Sequence, residues 1–122
     1  MKPISKYINN FGSDKLDVCL VAVANGELVG ASWGRLFSEA NQGYGFLDVE
    51  TPELSIAIKE QFRNQGIGGR LIEEIVAVYR TLNVRAVSLS VDKNNSALRL
   101  YRRMGFEVVE ESGRSVVMRK KI

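Results

Sequence analysis

The sequence predicts a mixed α/β sandwich built on one central sheet. Three observations carry this reading. Short β-rich apolar runs alternate with strongly amphipathic helical runs, in the order helix-ββ-β-α-β-α-ββ. An extended run, Leu54-Ser-Ile-Ala-Ile58, passes through a glycine cluster directly into the longest helical run. No linker, repeat or low-complexity segment interrupts the 122 residues, which suffice for one domain, 1–122, with a single modest core.

Taken in order, Ile4, Tyr7, Ile8 and Phe11 recur at helical spacing and predict a short amphipathic helix ending near Gly12. Val18 to Ala24 reads as a strand, Asn25-Gly26 as a tight hairpin turn, and Leu28 to Leu36 as the partner strand. Residues 36–52, with Gly43, Gly45 and Pro52, read mostly as a loop. Glu53 to Ile58 is a strand with Leu54, Ile56 and Ile58 on one face and Glu53, Ser55 and Ala57 on the other. A helix from about Gly68 to Leu82 gathers Leu71, Ile75, Val78, Tyr79 and Leu82 into a stripe, with Ile72 and Val76 beside it. A strand over Val84 to Val91 follows, alternating Val87, Leu89 and Val91 against Ser88 and Ser90. Asn94 or Asn95 caps the next helix, which presents Ala97, Leu100, Tyr101 and Met104 together. Gly105 ends it in a left-handed conformation, folding Phe106 back toward Tyr101, and two strands at 106–111 and 115–120 flank Ser112-Gly113.

Composition excludes several classes of function. There is no histidine, which removes Ser-His-Asp and Cys-His catalysis and zinc-histidine sites. The single cysteine, Cys19, excludes an intramolecular disulfide and reads as a small buried hydrophobe rather than a nucleophile. A net charge of +3 suits an anionic ligand but is too small and dispersed for nucleic acid. No apolar run approaches a membrane span and no signal-peptide core opens the chain, so a cytoplasmic protein is expected, with no metal and no membrane partner.

The stretch Lys59-Glu-Gln-Phe-Arg-Asn-Gln-Gly-Ile-Gly-Gly-Arg-Leu-Ile72 has the makings of a phosphate site. Gly66, Gly68 and Gly69 let the backbone approach a ligand, and a helix starting there directs unpaired N–H groups and its positive dipole end outward. Arg63 and Arg70 add charge. A plain strand-to-helix turn would need no more than this. It is not a Walker loop, because no Gly-Lys-Ser/Thr occurs, and Leu71 breaks the dinucleotide fingerprint. Arg63-Asn64-Gln65-Gly66-Ile67-Gly68 instead resembles the Gln/Arg-x-x-Gly-x-Gly/Ala pyrophosphate loop of the GNAT family of acyl-CoA-dependent N-acyltransferases. Asn94-Asn-Ser-Ala-Leu-Arg-Leu-Tyr-Arg-Arg-Met-Gly-Phe106 resembles the family's second signature, in the expected order and at the expected distance.

That resemblance implies a mostly antiparallel sheet with helices on both faces and an N-terminally shortened domain. It implies acetyl-CoA as the acyl donor, held in a gap where the strands at 53–58 and 86–91 splay apart. Backbone groups of Ile56, Ala57 and Ile58 would pair with the pantetheine arm, as an added strand would. The segment Arg63, Asn64, Gln65, Gly66, Ile67, Gly68, Gly69 and Arg70 would hold the pyrophosphate, chiefly through the amides of 65–70. Asn94 matches an asparagine that contacts the cofactor. Tyr101 matches the tyrosine that protonates the departing thiolate; without its motif it would read as core beneath Phe106. A backbone amide of a bulged strand near Ala57 would stabilise the oxyanion.

With no histidine, the base that accepts the amine proton would be a carboxylate or a water chain. Glu53 stands where many family members carry a glutamate, and it equally suits a solvated strand end; Asp48 and Glu50 are fallbacks. Glu60 replaces a proline common before the loop. The short N-terminus leaves Val18–Ala24 or its neighbour as an open edge, which predicts a homodimer. Trp33, Phe37, Tyr44 and Phe46, with Glu39, Asp48, Glu50 and Glu53, suggest an acidic, aromatic-walled pocket for a cationic small-molecule or peptide amine, although a polar loop with scattered aromatics looks the same. The expected activity is N-acetyl transfer to a primary amine by direct attack in a ternary complex. The alternative is a catalytically weak acyl-CoA-binding module of the same fold; a nucleotide-binding module fits worse, lacking the phosphate motifs and a carboxylate pair for magnesium.

Overall fold

Residue patterning and hairpin chemistry dictate most of the sheet seen in the computed structural model, which describes residues 4–7, 16–36, 47–48 and 50–122. The strands are β1 (Ile4–Tyr7), β2 (Val18–Ala24), β3 (Glu27–Arg35), β4 (Glu53–Ile58), β5 (Ala86–Asp92), β6 (Glu107–Ser112) and β7 (Ser115–Lys121). The helices are α1 (Ile67–Thr81), between β4 and β5, and α2 (Ala97–Arg103), between β5 and β6. The strands form one sheet in the order β1-β2-β3-β4-β5-β7-β6, antiparallel throughout except where β4 meets β5.

Asn25 and Gly26 both take positive φ, 53° and 79°, the turn whose twist matches a two-residue hairpin. The N-terminal expectation is corrected: Ile4–Tyr7 is a strand, paired with β2 from Ile4↔Ala22 to Tyr7↔Cys19. A strand there satisfies its own backbone on a neighbour, and it fills the edge expected to be open at Val18–Ala24. Among the described residues the open edge of the sheet on this side is then β1 itself. Ile8, Phe11 and Gly12 lie outside the described residues.

Register fixes which side chains share a face. Val18, Leu20 and Ala22 line up with Gly34, Ser32 and Gly30, and these with Leu54, Ile56 and Ile58. The Glu53↔Ser88 bridge puts Val87, Leu89 and Val91 on that same face, and β7 adds Val116 and Met118. Against it lie Leu71, Ile72, Ile75 and Tyr79 of α1, all fully buried, each burial worth on the order of 2 kcal/mol. Tyr101 of α2 and Phe106 close the same core. The helices expected on both faces are thus, among the described residues, two helices on one face. Cys19, Trp33, Ser55 and Ala57 point to the other.

Both helices end as their sequences require. Gly105 has φ 95°, and the N–H groups of Gly105 and Phe106 donate to Arg102 and Tyr101. Asn83 does the same for α1 at φ 63°, with Val84 N–H reaching Tyr79. The Lys120 ammonium donates to the Met104 carbonyl at 2.7 Å, adding a cation at the C-terminus of α2. The N-cap position of α2 is Ser96, which makes no side-chain cap bond. Asn95, rather than Asn94, supports the helix start from one residue before, its Oδ1 accepting the Ala97 N–H at 2.9 Å.

Candidate active site

The site arises where two neighbouring strands stop pairing. β4 keeps an unbroken antiparallel ladder with β3 from Arg35↔Glu53 to Gly30↔Ile58. With β5 it shares only the Glu53↔Ser88 bridge, where Ser88 N–H donates to the Pro52 carbonyl at 3.0 Å. Beyond that point the strands diverge and leave a gap.

The backbone of β4 can be assigned side by side. Lys59 N–H donates to the Val29 carbonyl, so Lys59, Ala57, Ser55 and Glu53 direct their amides and carbonyls to β3. The intervening residues, Leu54, Ile56 and Ile58, direct theirs into the gap. Arg63 Nε marks this by donating to the Ile58 carbonyl at 3.3 Å. Ile56 and Ile58 therefore present strand-edge groups to a ligand and Ala57 does not. The expected bulge near Ala57 is likewise not in β4; the register shifts lie at Ala22/Val23 and Val108/Glu110. An unbroken ladder to β3 holds the Ala57 amide against a partner strand.

Two cavities occupy the gap. One, of about 830 Å³, is lined by Ile56, Ala57, Ile58 and Phe62, by Arg63, Asn64 and Gly66 to Gly69, and by Asn95 to Ala97, Arg99, Leu100, Tyr101 and Arg103. The other, of about 530 Å³, is lined by Glu53 to Ile56, Ile72, Leu89 to Asp92, Asn95, Tyr101 and Ser115. They meet at Ile56, Asn95 and Tyr101.

The glycine loop faces the first cavity. Gly66 caps α1 with φ 82°. The first helical bond runs from Arg70 N–H to the Gly66 carbonyl, so the amides of Ile67, Gly68 and Gly69 have no partner within the helix and point past its positive end. Gly68 and Gly69 are helical; their contribution is bareness, not unusual dihedrals. Arg70 and Gln65 do not line the cavity: Arg70 pairs with Glu74 at 3.2 Å, four residues on, and Gln65 Nε2 bonds the Gln61 carbonyl. The cations that do line it, besides Arg63, are Arg99 and Arg103. Sequence reading passed over both, because only the packing of α2 against α1 turns them toward the loop. Asn94 lines neither cavity; its neighbour Asn95 lines both.

Tyr101 stands at the junction, 6% exposed, its ring 5.9 Å from that of Phe106. Burial pushes its phenol above the ordinary value of 10.0, so it keeps its proton across the neutral range. Glu53 lines the second cavity, opposite Arg35 in register. Asp48 does not: it accepts the Glu50 N–H and the Thr51 hydroxyl, both at 2.9 Å, and so builds the turn into β4. Glu50 is exposed and also off the lining, as is Trp33. Glu39, Phe37, Tyr44 and Phe46 lie outside the described residues. Cys19 is half-buried, with its thiol pushed up by desolvation, which suits packing better than attack.

A gap between diverging strands, a bare helix start and a buried phenol thus meet in one place. The sequence profile of the acetyltransferase (GNAT) family matches residues 2–106, and the chain belongs to that family. Among curated proteins no sequence match was found. Solved structures agree on the fold. A PaiA N-acetyltransferase from Thermoplasma acidophilum, in complex with coenzyme A, superposes with a TM-score of 0.72 at 22% identity over 87% of this chain. A ribosomal-protein-alanine N-acetyltransferase from Brucella melitensis gives 0.71 at 26% over 87% of this chain and 69% of its own. A GNAT acetyltransferase from Elizabethkingia anophelis with acetyl-CoA bound gives 0.72 at 18%, covering 98% of each chain. This chain spans 61% of the Thermoplasma protein. Among the described residues no helix is long and apolar enough to cross a membrane.

Proposed function

We propose that the protein is an acetyl-CoA-dependent N-acetyltransferase that acylates a primary amine, on a small molecule or a peptide, by direct attack. The observation that carries this is the meeting of the two cavities at Tyr101 and Ile56, which gives donor and acceptor separate approaches to one point. On the donor side, Ile56 and Ile58 offer amides and carbonyls to the amides of a pantetheine arm. The amides of Ile67, Gly68 and Gly69 and the α1 dipole suit a pyrophosphate. The residues present therefore fit acetyl-CoA.

On the acceptor side, Glu53 takes the proton that the attacking amine must lose, directly or through water. Glu53 and Asp92 give this cavity two carboxylates, which favours a cationic amine. The Ile56 N–H, rather than that of Ala57, donates to the thioester oxygen as negative charge develops there. Tyr101 gives its proton to the leaving thiolate. The phenol's proton passes to sulfur as the C–S bond breaks, giving a neutral thiol. Because a thiolate (thiol pKa near ~8.5) is a weaker base than a phenolate, the Tyr101 phenolate left behind promptly regains a proton from solvent.

Tyr101→Phe tests this. Turnover should fall by about 100-fold or more, with acetyl-CoA affinity within about twofold of the parent. Unchanged turnover would remove Tyr101 from the chemistry. Donor binding with no turnover on any amine would leave the catalytically weak binding module.

A further inference from the structure

Among the described residues around the glycine loop, the basic side chains have ion-pair partners except for a group on one side of the donor cavity. Arg70 is paired with Glu74, Lys59 with Glu27 and Lys93 with Glu111. Arg63 gives one N–H to the Ile58 carbonyl and no ion pair, and the guanidinium groups of Arg99 and Arg103 have neither hydrogen bond nor ion pair among the described residues. Arg99 and Arg103 lie four residues apart on α2, on the stripe Ser96-Arg99-Leu100-Arg103 that lines the cavity. Leu100 anchors that stripe to the helix start: a Cβ on Gly69 would sit 3.5 Å from Leu100 Cδ1. Three like charges converging on one cavity repel one another, an arrangement that an anion would relieve.

The loop's own unpaired amides already suit a pyrophosphate, so this group serves a different phosphate. We propose that Arg99 and Arg103, together with Arg63, form a subsite for the 3′-phosphate of coenzyme A, and that they let the protein distinguish the complete cofactor from its 3′-dephospho form. The inference rests on the acyl-CoA reading of the cavity and deepens it. Guanidinium suits this role, because its planar fork binds a phosphate dianion through two N–H groups at once. Because all three groups sit at the surface, their effect is screened by salt.

The test is calorimetric titration of the parent protein and of the double variant Arg99→Gln/Arg103→Gln with coenzyme A and with 3′-dephospho-coenzyme A, at low salt and at high salt. The parent should bind coenzyme A about tenfold or more tightly than the dephospho form at low salt, with the margin shrinking at high salt. The double variant, which keeps Arg63, should lose most of that margin, with affinity for the dephospho form close to the parent's. Equal binding of the two by the parent, or a double variant that still discriminates as the parent does, would overturn the proposal. No binding of either compound by the parent would overturn the acyl-CoA reading itself, and this subsite with it.

Discussion

Gly30 and Gly34 on β3, and Gly68 and Gly69 at the start of α1, all border the packing of α1, yet a methyl group added at each pair would meet different surroundings. On Gly34 it would collide with the Tyr79 hydroxyl and lie 2.9 Å from Leu54 Cδ2; on Gly30 it would lie 2.7 Å from Ile58 Cδ1. At Gly34 the buried Tyr79 ring leaves no room, so the core itself excludes a side chain there. At Gly30 the close atom is the far end of Ile58, which must turn aside. On Gly68 and Gly69 the nearest atoms would be Ile56 Cδ1 at 3.6 Å and Leu100 Cδ1 at 3.5 Å, ordinary contacts that leave the fold undisturbed. Alanine would even favour the helix. Glycine at 68 and 69 is thus not a demand of the fold, and the free amides beside it supply the reason. On the proposed reading, a ligand comes close to that backbone.

Alanine substitutions at the two pairs should therefore part company, most visibly in β3. Gly34→Ala should destabilise the protein by about 2–3 kcal/mol through overpacking, lowering Tm by roughly 10 °C in a thermal melt. Gly69→Ala should leave Tm unchanged or raise stability by up to about 1 kcal/mol, while weakening acetyl-CoA binding by about tenfold or more (~1.4 kcal/mol) in a titration. If Gly69→Ala melted as low as Gly34→Ala, both pairs would be structural and the contrast would vanish.

Smaller effects are expected at α2, which carries Tyr101 and the two cavity-lining arginines, Arg99 and Arg103. Lys120→Met removes the ammonium from the Met104 carbonyl and Asn95→Ala removes the side-chain acceptor of the Ala97 N–H. Each should cost about 1 kcal/mol in chemical denaturation. The phenol of Tyr101 supplies a pH signature. As the acid it must be protonated, and its pKa lies above 10.0, so its loss of activity belongs above that pH; a basic limb below it would report another group. The stability sign is the same. The unfolded phenol ionises first as pH rises past 10, so the contribution of burial is intact below that value and is lost above it.

Much of this was legible in the sequence because the determinants are local. Asn25-Gly26 specifies its hairpin, and Gly105-Phe106 specifies a helix end that returns the Phe106 ring to Tyr101. The two motifs located the glycine loop and the tyrosine. What stayed hidden depends on neighbours distant in sequence. Ile4 to Tyr7 fits a helical turn and a strand equally well over so few residues, and pairing with β2 decides it. Which amides of β4 are spent on β3 follows from register, which made Ile56 and not Ala57 the donor facing the gap. Arg99 and Arg103 read as two more surface cations until α2 is laid against α1, and Arg70 reads as a ligand until Glu74 claims it.

The central claim is that the gap between β4 and β5 is a donor site shaped for an acyl-CoA. Calorimetric titration of the parent protein with coenzyme A, with ATP alongside, tests it most directly. The expected result is saturable, micromolar binding of coenzyme A with no comparable uptake of ATP, because ATP has no pantetheine arm to pair with Ile56 and Ile58. Absence of coenzyme A binding, or equal affinity for ATP, would contradict it and reduce residues 63–70 to a structural turn.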